Sequence, residues 1–70
     1  MFEKMMKKSR EKRYLREYKN LINKPFCFQY EYFKQLQERA RIDFLKDRIS
    51  SQFYINYFSV RDFREILATL

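Results

Sequence analysis

Apolar side chains recur at helical spacing in three stretches, separated by two breaks. In the first, Tyr14, Leu15, Tyr18, Leu21 and Ile22 fall at i, i+1, i+4, i+7 and i+8, which is one face of a helix running over about residues 3–23. Residues 1–9 read as its frayed or basic N-terminal extension. Asn23 and Lys24 before Pro25 form a stop, because the residue preceding a proline is pushed out of the α region. In the second stretch, over about 28–49, Phe33, Leu36, Ala40 and Phe44 make a narrow seam that Leu45 and Ile49 widen. Ser50 and Ser51 are the next break, since either hydroxyl can cap a following helix. In the third, over about 52–68, Phe53, Tyr57, Val60, Phe63, Leu67 and Leu70 fill one broad face, with Tyr54 and Phe58 projecting from nearly the opposite side. A helix with apolar groups on both faces is normally buried on both. The pattern therefore predicts an all-α, single three-helix domain over 1–70, with Tyr54 and Phe58 a candidate partner surface, the alternative for Tyr54 being to lie flat over a neighbour with its hydroxyl in water.

Charge changes this picture by its placement. Residues 1–24 carry nine basic and three acidic side chains, residues 25–49 five and four, and residues 50–70 two and two. The net charge of +7 thus resides almost entirely in the first helix. Lys8, Lys12, Arg16 and Lys19 form a stripe there, next to the apolar face. The bland reading is a solvated helix face partly neutralised by Glu11 and Glu17. The functional one, which the size of the segment's charge favours, is a docking surface for an acidic partner, either a protein or a nucleic acid. Lys34, Arg41 and Arg48, seven apart, flank the second seam.

Composition then removes classes of function. There is no His, Gly or Trp, and there are one Pro and one Cys. No imidazole is present to serve as a base near neutral pH, and no glycine to build a phosphate-cradling loop, so the expectation is a non-catalytic protein. A lone Cys27 closes no intramolecular disulfide and completes no zinc site. A core in a chain of 70 residues supplies only about 3 to 5 kcal/mol, so association is the expected source of further stability. No apolar run approaches the length of a membrane span. Met1 to Arg13 is basic without an apolar h-region; Glu3, Glu11 and a single Ser9 set it apart from a typical mitochondrial presequence. Phe, Tyr, Met, Ile, Asn and Lys make up 33 of 70 residues, a bias that an AT-rich genome would produce.

Two clusters carry competing readings. Phe26, Phe28, Tyr30, Tyr32 and Phe33 could stack on bases, but packing at the turn between two helices is the stronger expectation, with Cys27 buried among them as a structural thiol. Asp43, Asp47, Asp62 and Glu65 are interleaved with Arg41, Lys46, Arg48, Arg61 and Arg64, so solvated i, i+3 and i+4 ion pairs account for them better than a metal site or an acid/base pair does.

The order of these features resembles the LYR-motif adaptors of mitochondria, small three-helix proteins, and in particular those that bind the cysteine desulfurase of iron–sulfur cluster assembly. The signature lies at Tyr14-Leu15-Arg16, with the family's aromatic and aliphatic positions exchanged. Phe26 is similar to the family's Phe after the first helix, Arg41 and Phe44 resemble its second-helix Arg and Phe, and residues 55–70 resemble its third helix. The likeness spans about residues 10–70. It implies a non-catalytic adaptor or accessory subunit in a mitochondrion or mitochondrion-derived organelle. Such a protein is part of a hetero-complex, binding an acidic acyl carrier protein and stabilising a larger client, a cysteine desulfurase or a respiratory complex. No cofactor is then bound directly, but the phosphopantetheine-linked acyl chain of the carrier would enter the adaptor. Lys8, Lys12, Arg16, Lys19, Arg41 and Lys46 would face the acidic partner. Phe33, Ala40, Phe44, Val60, Phe63 and Leu67 would line an acyl channel or core, leaving Tyr54 and Phe58 for the client. The alternative is a small basic subunit of an organellar ribosome or other ribonucleoprotein, with residues 8–19 on phosphates.

Overall fold

The computed structural model describes residues 2–70, with side chains from Met6 onward. The described chain is all-α. Helix α1 spans Phe2–Asn20, α2 Gln29–Leu45, α3 Ser51–Tyr57 and α4 Phe63–Thr69, with short 3-10 turns at Leu21–Asn23 and Phe26–Phe28. Helical backbone runs through residues 2–9, which the sequence reads as a frayed or basic extension of the first helix; Met1 lies outside the described residues.

The first apolar stripe does its expected work. Tyr14, Tyr18 and Leu21 are buried, whereas Ile22 at the stripe's end is exposed. As Pro25 requires, Lys24 is extended at φ −82°, ψ 152°, so the chain leaves the helix there. The following 3-10 turn buries none of its three residues. Gln29 takes the buried position instead, its Nε2 donating to the Lys24 carbonyl at 3.4 Å.

In α2 the seam Phe33, Leu36 and Ala40 is buried as spaced. The helix closes at Leu45, four residues before the expected end, through a paired C-terminal bond pattern. Arg48 N donates to the Asp43 carbonyl and Asp47 N to the Phe44 carbonyl, with Asp47 left-handed at φ 59°. Glycine usually fills that position. In a chain without glycine, a short Asp side chain is among the few that tolerate it. Ile49, released from the helix, turns into the core and is almost fully buried. Ser50 then caps α3, its Oγ accepting from Phe53 N at 3.1 Å.

The expected third helix over 52–68 is two helices, and the break inverts one side chain. At Phe58 the backbone departs from the helix at φ −118°, its carbonyl accepting from Gln37 Nε2 of α2 at 2.7 Å. A carbonyl left open at a helix end is thereby satisfied by a neighbouring helix. Asp62 begins α4 by accepting from Arg64 N at 3.0 Å. Phe58, expected on an outward face, is completely buried, with its ring centroid 5.5 Å from Tyr18, 5.8 Å from Tyr14, 6.0 Å from Phe53 and 6.3 Å from Phe33. Tyr54 is half-buried and stacked on Phe44 at 4.8 Å. Neither residue offers the client-facing surface that a straight helix implies. The core is mainly aromatic, rings meeting edge-on or stacked at separations where such pairs add to area burial.

Candidate functional site

Helix α1 builds the site. At 100° per residue, Lys8, Lys12, Arg16 and Lys19 fall within a sector of about 80°, roughly opposite Tyr14, Tyr18 and Leu21, and span about 16 Å along the axis. All four are exposed. The described acidic groups of α1 point elsewhere. Glu11 accepts from Ser50 N at 2.9 Å, across the start of α3. Glu17 takes both guanidinium nitrogens of Arg39 on α2, at 3.2 and 3.3 Å. The bland reading required these two carboxylates to neutralise the stripe, but tertiary contacts hold them away from it. Among the described residues, none of the four stripe cations has a carboxylate partner.

The other two cations assigned to an acidic partner are not gathered with the stripe. Arg41 is exposed and pairs with Glu38 at 3.5 Å. Two residues after Arg39, it leaves α2 about 160° away from the side that meets Glu17. Lys46, just past α2, shares a shallow cleft with Met6, Lys7 and Arg10. The six-residue set therefore separates into one coherent face of four and two outliers. Of the six residues assigned to a channel or core, Phe33, Ala40 and Phe63 are buried and Phe44, Val60 and Leu67 pack against them. Three of them, Phe33, Val60 and Phe63, also line a cleft of about 340 Å³ between α2 and α4.

The aromatic cluster lies opposite to expectation. Only Phe33 is buried; Phe26 is 71% exposed, and Phe28, Tyr30, Tyr32 and Cys27 are exposed as well. Consecutive residues of a three-residue turn cannot all face one core, and Gln29 already occupies the inward position. Cations cover several of these rings: Arg64 lies 4.1 Å from the Phe26 centroid, Lys24 4.7 Å from Tyr32 and Lys34 5.3 Å from Tyr30.

The four acidic residues weighed as ligands are dispersed. Asp43 accepts from the Tyr14 hydroxyl and lies 3.7 Å from Arg48, Asp47 pairs with Lys7 at 3.0 Å, and Asp62 caps α4. Two of these four contacts join distant elements, the other two are local, and none is an i, i+3 or i, i+4 ion pair. Two buried phenols are perturbed. Tyr14 is pushed above its ordinary range by burial and then by the Asp43 carboxylate, and Tyr18 by burial and then by the charge of Asp62. The sequence reading missed one grouping: Arg10 and Arg13 with Arg39 and Arg48 around the groove between α1 and α2. Its signal was present in the i, i+3, i+4, i+7 series Arg10, Arg13, Tyr14, Glu17.

Comparison with protein-family models, curated proteins and solved structures gives no match for this chain. The described residues contain no helix long and apolar enough to cross a membrane.

Proposed function

We propose that the chain is a non-catalytic helical adaptor that docks an acidic protein through the outer face of α1. One observation carries this reading: the fold uses Glu11 and Glu17 in tertiary contacts and leaves Lys8, Lys12, Arg16 and Lys19 exposed and without a carboxylate partner among the described residues. A coherent positive face accelerates encounter with an acidic surface and selects against basic ones. The resemblance to LYR adaptors gives the partner its identity, an acyl carrier protein, and gives the client as a cysteine desulfurase or respiratory complex in a mitochondrion or related organelle. The cleft beside Phe33, Val60 and Phe63 is where the carrier's acyl chain would enter. Each methylene buried there contributes about 0.8 kcal/mol, so eight would add roughly 6 kcal/mol to a domain of small core.

Co-expression of the tagged chain with acyl carrier protein is the test. Retention of the acylated carrier is expected, and Lys12→Glu with Arg16→Glu should abolish it, whereas Arg41→Glu should leave it. A stable monomer that retains no carrier overturns the proposal.

A second reading, contact with RNA in an organellar ribonucleoprotein, is favoured by the exposed Phe26, Phe28, Tyr30 and Tyr32 with their covering cations. Exposed rings beside cations are what stacking on single-stranded bases needs. Binding to single-stranded RNA that falls steeply with salt and is weakened by Phe26→Ala and Phe28→Ala would select this reading over the first.

A further inference from the structure

The groove between α1 and α2 is a distinct feature, facing away from the outer stripe. Arg10 and Arg13 from α1, Arg39 from α2 and Arg48 from the turn after it surround a cleft of about 350 Å³, together with Glu17 and Asp43. Both carboxylates are engaged: Glu17 by Arg39, Asp43 by the Tyr14 hydroxyl and, more loosely, by Arg48. Among the described residues, Arg10 and Arg13 have no carboxylate partner, although Arg10 is only partly exposed. Four arginines thus line the groove with two carboxylate residues, an excess of two positive charges. Gathering like charges in a groove raises their mutual repulsion above that of charges spread over the surface. A bound anion relieves it.

We propose that this groove binds a phosphomonoester. A phosphomonoester carries about −1.5 to −2 at neutral pH, which matches the excess, and its oxygens suit the forked donors of arginine. The cleft lies near the lower end of the range of small-molecule sites, about 300 to 1,000 Å³, so it has room for an organic group beyond the phosphate. Ile42, 45% exposed on the groove wall, supplies an apolar surface for that group. Arg39 is held in place from two directions, by Glu17 and by the Tyr14 ring 5.9 Å from its guanidinium carbon. Arg10 and Arg13 are left to close on the ligand.

The site is separate from the outer face of α1, and its test is kept separate from that of the adaptor reading. The full chain is titrated calorimetrically with phenyl phosphate, inorganic phosphate and phenyl sulfate at fixed ionic strength and pH 7.5. Saturable binding of phenyl phosphate is expected, with phenyl sulfate, a monoanion, weaker. Arg10→Gln with Arg13→Gln should weaken phenyl phosphate at least about tenfold, the scale of losing charge-assisted hydrogen bonds. Lys12→Gln with Arg16→Gln should leave it unchanged, and circular dichroism should show both doubles folded. Binding of phenyl phosphate above inorganic phosphate assigns the site to organic monoesters, and equal binding to free phosphate. Absence of saturable binding, or an equal loss in both doubles, overturns the proposal.

Discussion

Phe58→Ala tests the turn that separates this fold from a plain three-helix reading. The side chain is completely inaccessible, and the rings of Tyr14, Tyr18, Phe33, Phe53 and Tyr54 all lie within 6.3 Å of it, centroid to centroid. Truncating a buried Phe costs about 3 to 5 kcal/mol. The substitution removes ring–ring pairs, which contribute beyond their area, so the upper part of that range applies. Total stability at about 0.05 to 0.15 kcal/mol per residue is roughly 4 to 10 kcal/mol for 70 residues. One substitution therefore removes a third of it or more. In a domain of this size, that lowers the melting temperature by roughly 15 to 35 °C. Urea unfolding followed by circular dichroism, with Phe26→Ala as control, measures the difference. Phe26 is 71% exposed, and its truncation should cost under about 0.5 kcal/mol. If Phe58→Ala costs less than about 1 kcal/mol, its ring lies in solvent and residues 52–68 form the straight helix that the sequence alone predicts.

Two further predictions concern the buried phenols. Tyr18→Phe should stabilise the protein by about 1 kcal/mol, because the Tyr18 hydroxyl is buried without a hydrogen-bond partner among the described residues, whereas its ring packing against Phe33, Tyr57 and Phe58 would persist. A lower urea midpoint in the variant would show instead that the hydroxyl is bonded in solution. Stability should also be level from pH 8 to about 10 and fall as the pH rises further, because the unfolded chain then sheds phenolic protons that folded Tyr14 and Tyr18 retain. Urea midpoints between pH 8 and 11 measure this, with a shallower fall expected in Tyr18→Phe, and an unchanged midpoint across that range contradicts it.

The parts of this fold legible in the sequence are those set by local period. Tyr14, Tyr18 and Leu21 on α1 and Phe33, Leu36 and Ala40 on α2 are buried because their spacing admits one face, and Ser50 caps where a hydroxyl was available. The break at Phe58 was hidden because Phe58-Ser59-Val60-Arg61 contains no Gly or Pro, and the bond that stabilises the open carbonyl comes from Gln37, 21 residues earlier. A trace existed in Asp62 and Glu65, spaced as in an N-terminal capping pair, but the ion-pair reading of those carboxylates masked it. For the candidate site, period alone places Lys8, Lys12, Arg16 and Lys19 together. The engagement of Glu11 with Ser50, 39 positions away, is tertiary and leaves no local mark. The exposure of Phe26, Phe28, Tyr30 and Tyr32 is hidden for a related reason: hydrophobicity predicts burial, whereas the tight turn after Pro25 decides which residue faces inward.

The last helix has a different standing from the rest. Seven residues long, α4 buries only Phe63 fully, and that ring lies stacked on Phe33 at 4.6 Å. A helix this short has little stability of its own in water. Its attachment is then a local equilibrium, held by that stacked pair and by the partly buried Ile66 and Leu67, and it opens at lower cost than the α1–α2 pairing beneath it. In hydrogen-exchange terms, its amides would report sub-global opening while those of α1 and α2 report global unfolding. Each such opening uncovers one face of Phe33 and widens the cleft between α2 and α4. A hydrophobic ligand entering there would compete with Phe63 for that ring face, so its affinity and the stability of the chain's last turns would be measures of the same contact.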